Sequence, residues 1–438
     1  MAVSNISDFL SGAAGDCVTV ARVTADANAI AAGAEAPLPA TDRIAALDVL
    51  RGFALLGIFI MNMPGFSHSM FAAPAAPATT LDAVVGELRE VLFAGKFNLL
   101  FGLAFGIGFA IQMKRLRAAE AERAARLGTS PRPDRPSQVY LRRLAFLLVV
   151  GLIHAMLLWS GDVLLVYAVL GFALLAAQRL SDRALCVLIG VCLVLPALGE
   201  VLRPALFPDG YNAVAAFEYQ QLEASNDLAF GHGSWRDALR ETVRVFDWGW
   251  RSRIGLFVYA SFFVQMATGI LVGFVLGSRG WPARAIAGAT AERRAPWTAL
   301  AIAIGCAVVE TIGALALAGG VGVFVAMLAR TIGRAALSAC YALAVVRIVR
   351  EHALLPGWLR PLRDAGRMPL TNYLLQTLLA SFVFYGWGLG RWNTVGPAAE
   401  TALAIALFVG VQLPLSTLWL RRFRAGPLEA LWRRFTYG

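Results

Sequence analysis

Charge is scarce in this chain. Only 15% of its 438 residues are Asp, Glu, Lys or Arg, while 58% are hydrophobic and the mean hydropathy is +0.65. Soluble domains carry roughly a quarter charged residues, so a soluble fold is excluded. The five cysteines, Cys17, Cys186, Cys192, Cys306 and Cys340, show no metal-ligand spacing, and four lie in apolar runs. No disulfide framework and no metal centre is expected. The first 40-odd residues lack a basic stretch followed by an apolar run and a cleavage site, so they do not read as a signal peptide. Walker, dinucleotide, zinc and GxSxG patterns are all missing. So are a long Arg-rich sensor helix and the paired, Pro-broken spans that mark many transporters.

What the chain has is apolar runs. A helix needs about 20 mostly apolar residues to cross a bilayer. Ten runs qualify: 47–66, 92–113, 140–159, 162–180, 184–206, 254–277, 297–318, 321–347, 370–390 and 398–420. The expected fold is therefore all-α, a polytopic integral membrane protein of about ten transmembrane helices. Residues 1–42, rich in Ala, Gly, Ser, Asp and Thr, read as a disordered tail. Five spans fill 43–206, an outward segment covers 207–253, and five more spans fill 254–438. Gly102 and Gly106 form a GxxxG pair that permits close helix contact; chance in a Gly-rich chain explains the spacing equally well.

Cations assign the sides. The loop 114–143 carries Lys114, Arg115, Arg117, Arg123, Arg126, Arg132, Arg135, Arg142 and Arg143. Arg279, Arg284, Arg293 and Arg294 fall in 278–296, and Arg350, Arg360, Arg363 and Arg367 in 348–369. The tail adds Arg421, Arg422, Arg424, Arg433 and Arg434. Ten alternating spans put all of these on one side, the cytoplasm by the positive-inside rule, giving an N-in, C-in topology. The basic balance of +11 therefore implies no nucleic-acid partner. In the outward segment, Ser234-Trp235-Arg236-Asp237 reads as a capping box. Leu239, Val243, Phe246 and Trp250 follow at helical spacing, predicting an amphipathic helix on the outer face. Interfacial anchoring is its default use, with a substrate lid as the alternative.

Polar residues within the spans fall at two levels. Asp48 and Arg51 open the first span on one helix face, and Arg367, Thr371, Asn372 and Gln376 open the ninth, near the cytoplasmic side. Asn62, Lys96, His154, Asp162, Glu310 and Arg330 lie toward the outside, with Arg334 nearer the midplane. Ionisable groups at these depths are functional hypotheses by default. Asp48 and Arg51 read either as a pair snorkelling at the membrane border or as an inward site with a fixed cation. Glu310 and Arg330, on adjacent antiparallel spans, form either a structural ion pair or part of an anion site. His154 and Asp162 flank the Ser160-Gly161 turn, where the carboxylate would orient a neutral imidazole as a base; a satisfied core histidine is the plainer reading. His68, in the first outward loop, is the rival base.

Four stretches together resemble a known family: LDVLRGFALLGIFIMN (47–62), GKFNLLFGLAFG (95–106), HAMLLWSGDVLLVYAVLG (154–171), and GRMPLTNYLLQ (366–376) with the ending GPLEALWRRFTY (426–437). In order and spacing they resemble the YeiB family of bacterial inner-membrane proteins, which carry the domain of unknown function number 418. The first span is also similar to those of membrane acyltransferases. In the branch of acyltransferase type 3 proteins, Arg is followed by His after ten residues; here Arg51 is followed at that spacing by Asn62. The heparan-glucosaminide acetyltransferase branch has Arg-Gly to Asn with a histidine in the next loop, and His68 is the one His in that loop here, closer to the Asn than in that pattern. The resemblance implies acyl-CoA as co-substrate, without a tightly bound cofactor, and an envelope glycan or lipid as acceptor at the outer face. Arg51 and Arg367 would then hold donor phosphates, His154 or His68 would act as base, and Asn62 or Lys96 would stabilise an oxyanion. A transporter or exporter of a small anionic or lipid-linked solute and a non-catalytic membrane scaffold are the competing classes.

Overall fold

The computed structural model describes residues 40–72, 77–208, 210–280, 290–317, 319–352 and 355–437. Most of the N-terminal tail, Cys17 and Arg284 lie outside the described residues, as does the side chain of Arg293. Among the described residues there is no strand. This follows from the solvent: a backbone in hydrocarbon must satisfy its own N–H and C=O groups, and a helix does so within one segment.

The helices run in chain order as α1 (Ala40–Asn62), α2 (Pro64–Ser67), α3 (Thr80–Leu92), α4 (Lys96–Leu127), α5 (Arg135–Leu157), α6 (Leu164–Ala177) and α7 (Asp182–Leu206). Residues 207–253 hold α8 (Tyr211–Asn226) and α9 (Trp235–Arg251), with a π turn at Asp227–His232 between them. Then come α10 (Arg253–Ser278), α11 (Thr290–Ala316), α12 (Gly319–Arg350), α13 (Arg360–Arg367), α14 (Pro369–Phe384), α15 (Pro397–Leu407), α16 (Leu413–Arg422) and α17 (Pro427–Tyr437). Eight helical stretches among the described residues are long and apolar enough to cross a membrane, and α6 is a shorter apolar helix. One of the eight joins α3 to α4 through a break at Gly95, whose left-handed φ of 72° suits glycine. The chain is thus an all-α membrane protein.

Glycine decides where the bundle closes most tightly. An added Cβ at Gly106 of α4 would collide with the Ile270 carbonyl of α10, and one at Gly273 would collide with the Leu103 carbonyl. Gly102, Gly269 and Gly277 continue the seam, so the GxxxG pair of α4 meets a facing glycine row. Gly52 of α1 and Gly366 of α13 form a second crossing, where Gly366 rests against the Asp48 carbonyl. That contact brings the two cytoplasmic-level groups of the sequence, 48–51 and 366–376, to one end of the bundle.

In α9 the capping box forms as the spacing predicts: Ser234 Oγ accepts from Asp237 N at 3.4 Å, and Asp237 Oδ2 accepts from Ser234 N at 3.0 Å. The face that packs inward is Ala238, Glu241, Thr242, Val245 and Gly249. Leu239, Val243 and Phe246 are half-buried and Trp250 is exposed. The apolar stripe lies at the border of the inward face, and Trp250 stacks on Tyr259 of α10 with ring centroids 5.4 Å apart.

Candidate functional site

At the basic end of the bundle a cavity of about 1530 Å³ opens. It is larger than the usual 300–1,000 Å³ of a small-molecule site. Its mouth carries Arg51, Arg143, Arg367, Arg424, Arg433 and the run Lys114, Arg115 and Arg117. Its interior is apolar, walled by Leu55, Ile58, Phe101, Phe105, Leu147 and Tyr373. Along α1 the lining runs from Ala46 to Ile58, a length of about 18 Å at 1.5 Å per residue.

Local structure places each cation. Arg51 Nη1 bonds Asp48 Oδ1 at 3.2 Å, one turn back on α1. Its guanidinium lies against Gly108, where a Cβ would stand 2.7 Å from Nη2. Arg143 stacks on the Trp432 ring at 3.9 Å, pinning α17 beside α5. Arg367 Nη2 donates to the Arg424 carbonyl at 3.3 Å. Thr371 is committed elsewhere: Glu429 of α17 accepts from Leu370 N (2.8 Å), Thr371 N (3.1 Å) and Thr371 Oγ1 (2.6 Å), so the carboxyl sits on the N-terminus of α14. Burial pushes the Glu429 carboxyl above its ordinary range, against these bonds, which lower it.

His154 and Asp162 meet at the inner end. His154 Nδ1 lies 2.8 Å from Asp162 Oδ1, both side chains being 1% exposed. The distance is that of a hydrogen bond, but the alignment falls short of one, so the two buried atoms face each other without a bond. His154 Nε2 lies 2.8 Å from Thr377 Oγ1 on α14. Asp162 Oδ2 accepts from Leu165 N at 2.6 Å, capping α6. Two cavity-lining residues touch this group: Val163 follows Asp162, and the Tyr373 ring lies 5.1 Å from the His154 ring. His154 and Asp162 thus stand just behind the inner wall.

The other candidates lie apart from the cavity lining. Asn372 Nδ2 bonds Ala365 O (3.1 Å) and Ser416 Oγ (3.0 Å); Gln376 Nε2 bonds Leu55 O (3.2 Å) and Gln412 Oε1 (3.1 Å). These amides tie α14 to α1 and α16. Lys96 Nζ donates to Glu90 O at 2.7 Å, and Arg334 Nη2 bonds Glu90 Oε1 at 3.3 Å. Arg330 and Glu310 pair at 2.7 Å between α12 and the peripheral α11, both partly exposed. Asn62 ends α1 half-buried, and its amide bonds none of the described residues.

His68 belongs to a cluster at the opposite end. Its Nδ1 lies 3.0 Å from Ser67 Oγ and 3.3 Å from Glu400 Oε1. Ser67 donates to the same Glu400 oxygen, and Arg89 Nη1 bonds Glu400 Oε2 at 2.5 Å. Ser67, Arg89 and Glu400 went unread in the sequence. The signal was there for Glu400, the lone acid inside the apolar run 398–420. Thr377 and Glu429 carried none, because their partners are distant in the chain.

The family described as "Protein of unknown function (DUF418)" matches residues 276–438. Uncharacterized protein YxaH of Bacillus subtilis (strain 168) is 31% identical over 417 residues, which span 92% of this chain and 96% of that protein. The chain belongs to the YeiB/DUF418 family. Uncharacterized protein YeiB of Escherichia coli (strain K12) is 28% identical over 424 residues, covering 90% of this chain and 96% of that protein. An uncharacterized 39.9 kDa protein of Bacillus acidopullulyticus is 24% identical over 408 residues, covering 92% and 96%. No solved structure matches the chain.

Proposed function

We propose that this YeiB-family protein transfers an acyl group from acyl-CoA, bound from the cytoplasm, to a hydroxyl or amine of an envelope glycan or lipid at the outer face of the bacterial inner membrane. The observation that carries the reading is the cavity itself, with a cationic mouth over an apolar interior. A donor of this class has the complementary layout, with phosphates at one end and an acyl thioester at the other. Arg51, Arg143 and Arg367 would hold phosphates through charge-assisted hydrogen bonds. The apolar walls would take the acyl arm, and their depth would bring the thioester toward Tyr373 and Val163. There His154, oriented by Asp162, would manage the proton. The positive-inside rule turns this mouth to the cytoplasm.

Asn62 and Lys96 lie outside the cavity lining and are left without a part in this chemistry. Export of a small anion is the competing function. Its expected pathway pair, Glu310 and Arg330, is bonded to itself at the periphery, away from the cavity.

Equilibrium binding tests the proposal. Purified protein should bind palmitoyl-CoA, and Arg51→Ala should weaken that binding by about 10–100-fold, the worth of a hydrogen bond to a charged group. An absence of palmitoyl-CoA binding in the wild type would refute it.

A further inference from the structure

Thr377 is one of the few helical threonines whose hydroxyl goes to a side chain of another helix, as Thr371 does with Glu429. Thr268, Thr311 and Thr331 bond back to the carbonyl four residues earlier, at 3.1, 2.9 and 2.9 Å. That is the ordinary fate of a hydroxyl inside a helix. Thr377 makes no such bond among the described residues, and its hydroxyl goes to His154 Nε2 instead. With Asp162 Oδ1 facing Nδ1 at 2.8 Å, though out of hydrogen-bond alignment, the three side chains lie in a hydroxyl–imidazole–carboxylate order, spaced 2.8 Å and 2.8 Å. A positioned base beside a hydroxyl, itself oriented by an acid, is the arrangement that activates a nucleophile.

The series stands one helical turn behind the inner wall of the cavity. Leu370 and Tyr373 line the cavity from α14. Thr377 is the next position on that face, about 6 Å along the axis from Tyr373. Tyr373 separates them. Its hydroxyl accepts from Val163 N at 3.3 Å and donates to none of the described residues, so its proton is available to an incoming oxygen.

We propose that Thr377 is the nucleophile of a Thr377–His154–Asp162 triad and carries the acyl group as an ester between donor and acceptor. This rests on the acyl-transfer reading above. Thr377 Oγ attacks the thioester carbonyl as its proton passes to His154 Nε2, with the Tyr373 hydroxyl donating to the carbonyl oxygen. The C–S bond breaks, the thiolate takes the proton from His154, and free CoA leaves. The acceptor hydroxyl or amine then attacks the ester, its proton passing through His154 to Thr377 Oγ. Imidazole and threonine end as they began.

The test needs no acceptor. Full-length protein is mixed with acetyl-CoA or with palmitoyl-CoA, and released CoA and intact protein mass are followed together. The expected result is a burst of at most one CoA per protein and a protein heavier by one acyl group. The adduct should be labile to hydroxylamine and map to Thr377. Thr377→Val should bind donor and lose burst and adduct, Thr377→Ser should keep both, and His154→Ala should slow the burst by about 10²-fold or more. A full burst in Thr377→Val, an adduct elsewhere, or bound donor with no adduct would overturn the triad and leave the acyl-transfer reading standing. Failure of the wild type to bind either donor would overturn both.

Discussion

At the basic end, eight Lys and Arg side chains line one cavity with only Asp48 and Glu429 among them. At the opposite end, three carboxylates are closed by their own donors. Glu400 holds Ser67 and Arg89, Asp227 accepts from Trp392 Nε1 (2.7 Å) and Asn393 Nδ2 (3.0 Å), and Glu218 accepts from Trp248 Nε1 (2.7 Å) and Ser252 Oγ (2.6 Å). The contrast separates two uses of charge. Pairs closed on themselves hold helices together and leave little for a ligand. Cations gathered in excess around an apolar hollow lower stability through mutual repulsion, and a polyanion would relieve it.

The contrast breaks most visibly at Glu400. Glu400→Ala leaves Arg89, 15% exposed, without its partner. We expect a loss of about 3–5 kcal/mol in unfolding experiments, as for other buried pairs broken on one side. Donor binding should be untouched, and Arg89→Ala in the same chain should recover part of the loss. Arg143→Ala reverses the pattern. It removes one mouth cation, so palmitoyl-CoA affinity should fall about tenfold, the worth of one charge-assisted hydrogen bond, and the lost stacking on Trp432 should cost about 0.5–2 kcal/mol of stability. The smallest effect belongs to the capping box of α9. The bonds from Ser234 hold the Asp237 carboxyl below its ordinary range. That support is present above the unfolded carboxyl pKa and is lost as pH falls through the lower folded value. Amide exchange at the start of α9 should therefore quicken in acid, and in Ser234→Ala the acid limb should move to higher pH.

Local features were legible in the sequence. The apolar runs marked the long helices because spacing and length alone decide them. The Asp48–Arg51 pair and the α9 capping box are contacts three residues apart, and His154 and Asp162 flank one tight turn. Contacts between distant segments were not legible. The first outward loop also holds α3, which meets α15 through Asp82, Gly86 and Arg89 while Leu81, Val84, Leu88 and Val91 stay exposed. The run 370–390 ends as a helix at Phe384, where Tyr385 turns extended. The Gly102–Gly106 pair became interpretable only with the facing glycines of α10. Thr377 is unremarkable in sequence, and only the fold brings it to His154.

The central claim is that the basic-end cavity holds an acyl donor with its phosphates at the mouth and its acyl thioester at the inner wall. A density map of the full chain with saturating palmitoyl-CoA tests this most directly. The account predicts phosphate density against Arg51, Arg143 and Arg367, and a thioester beside Tyr373 and Val163. A cavity without donor density at saturation, or a donor seated elsewhere on the molecule, would contradict it.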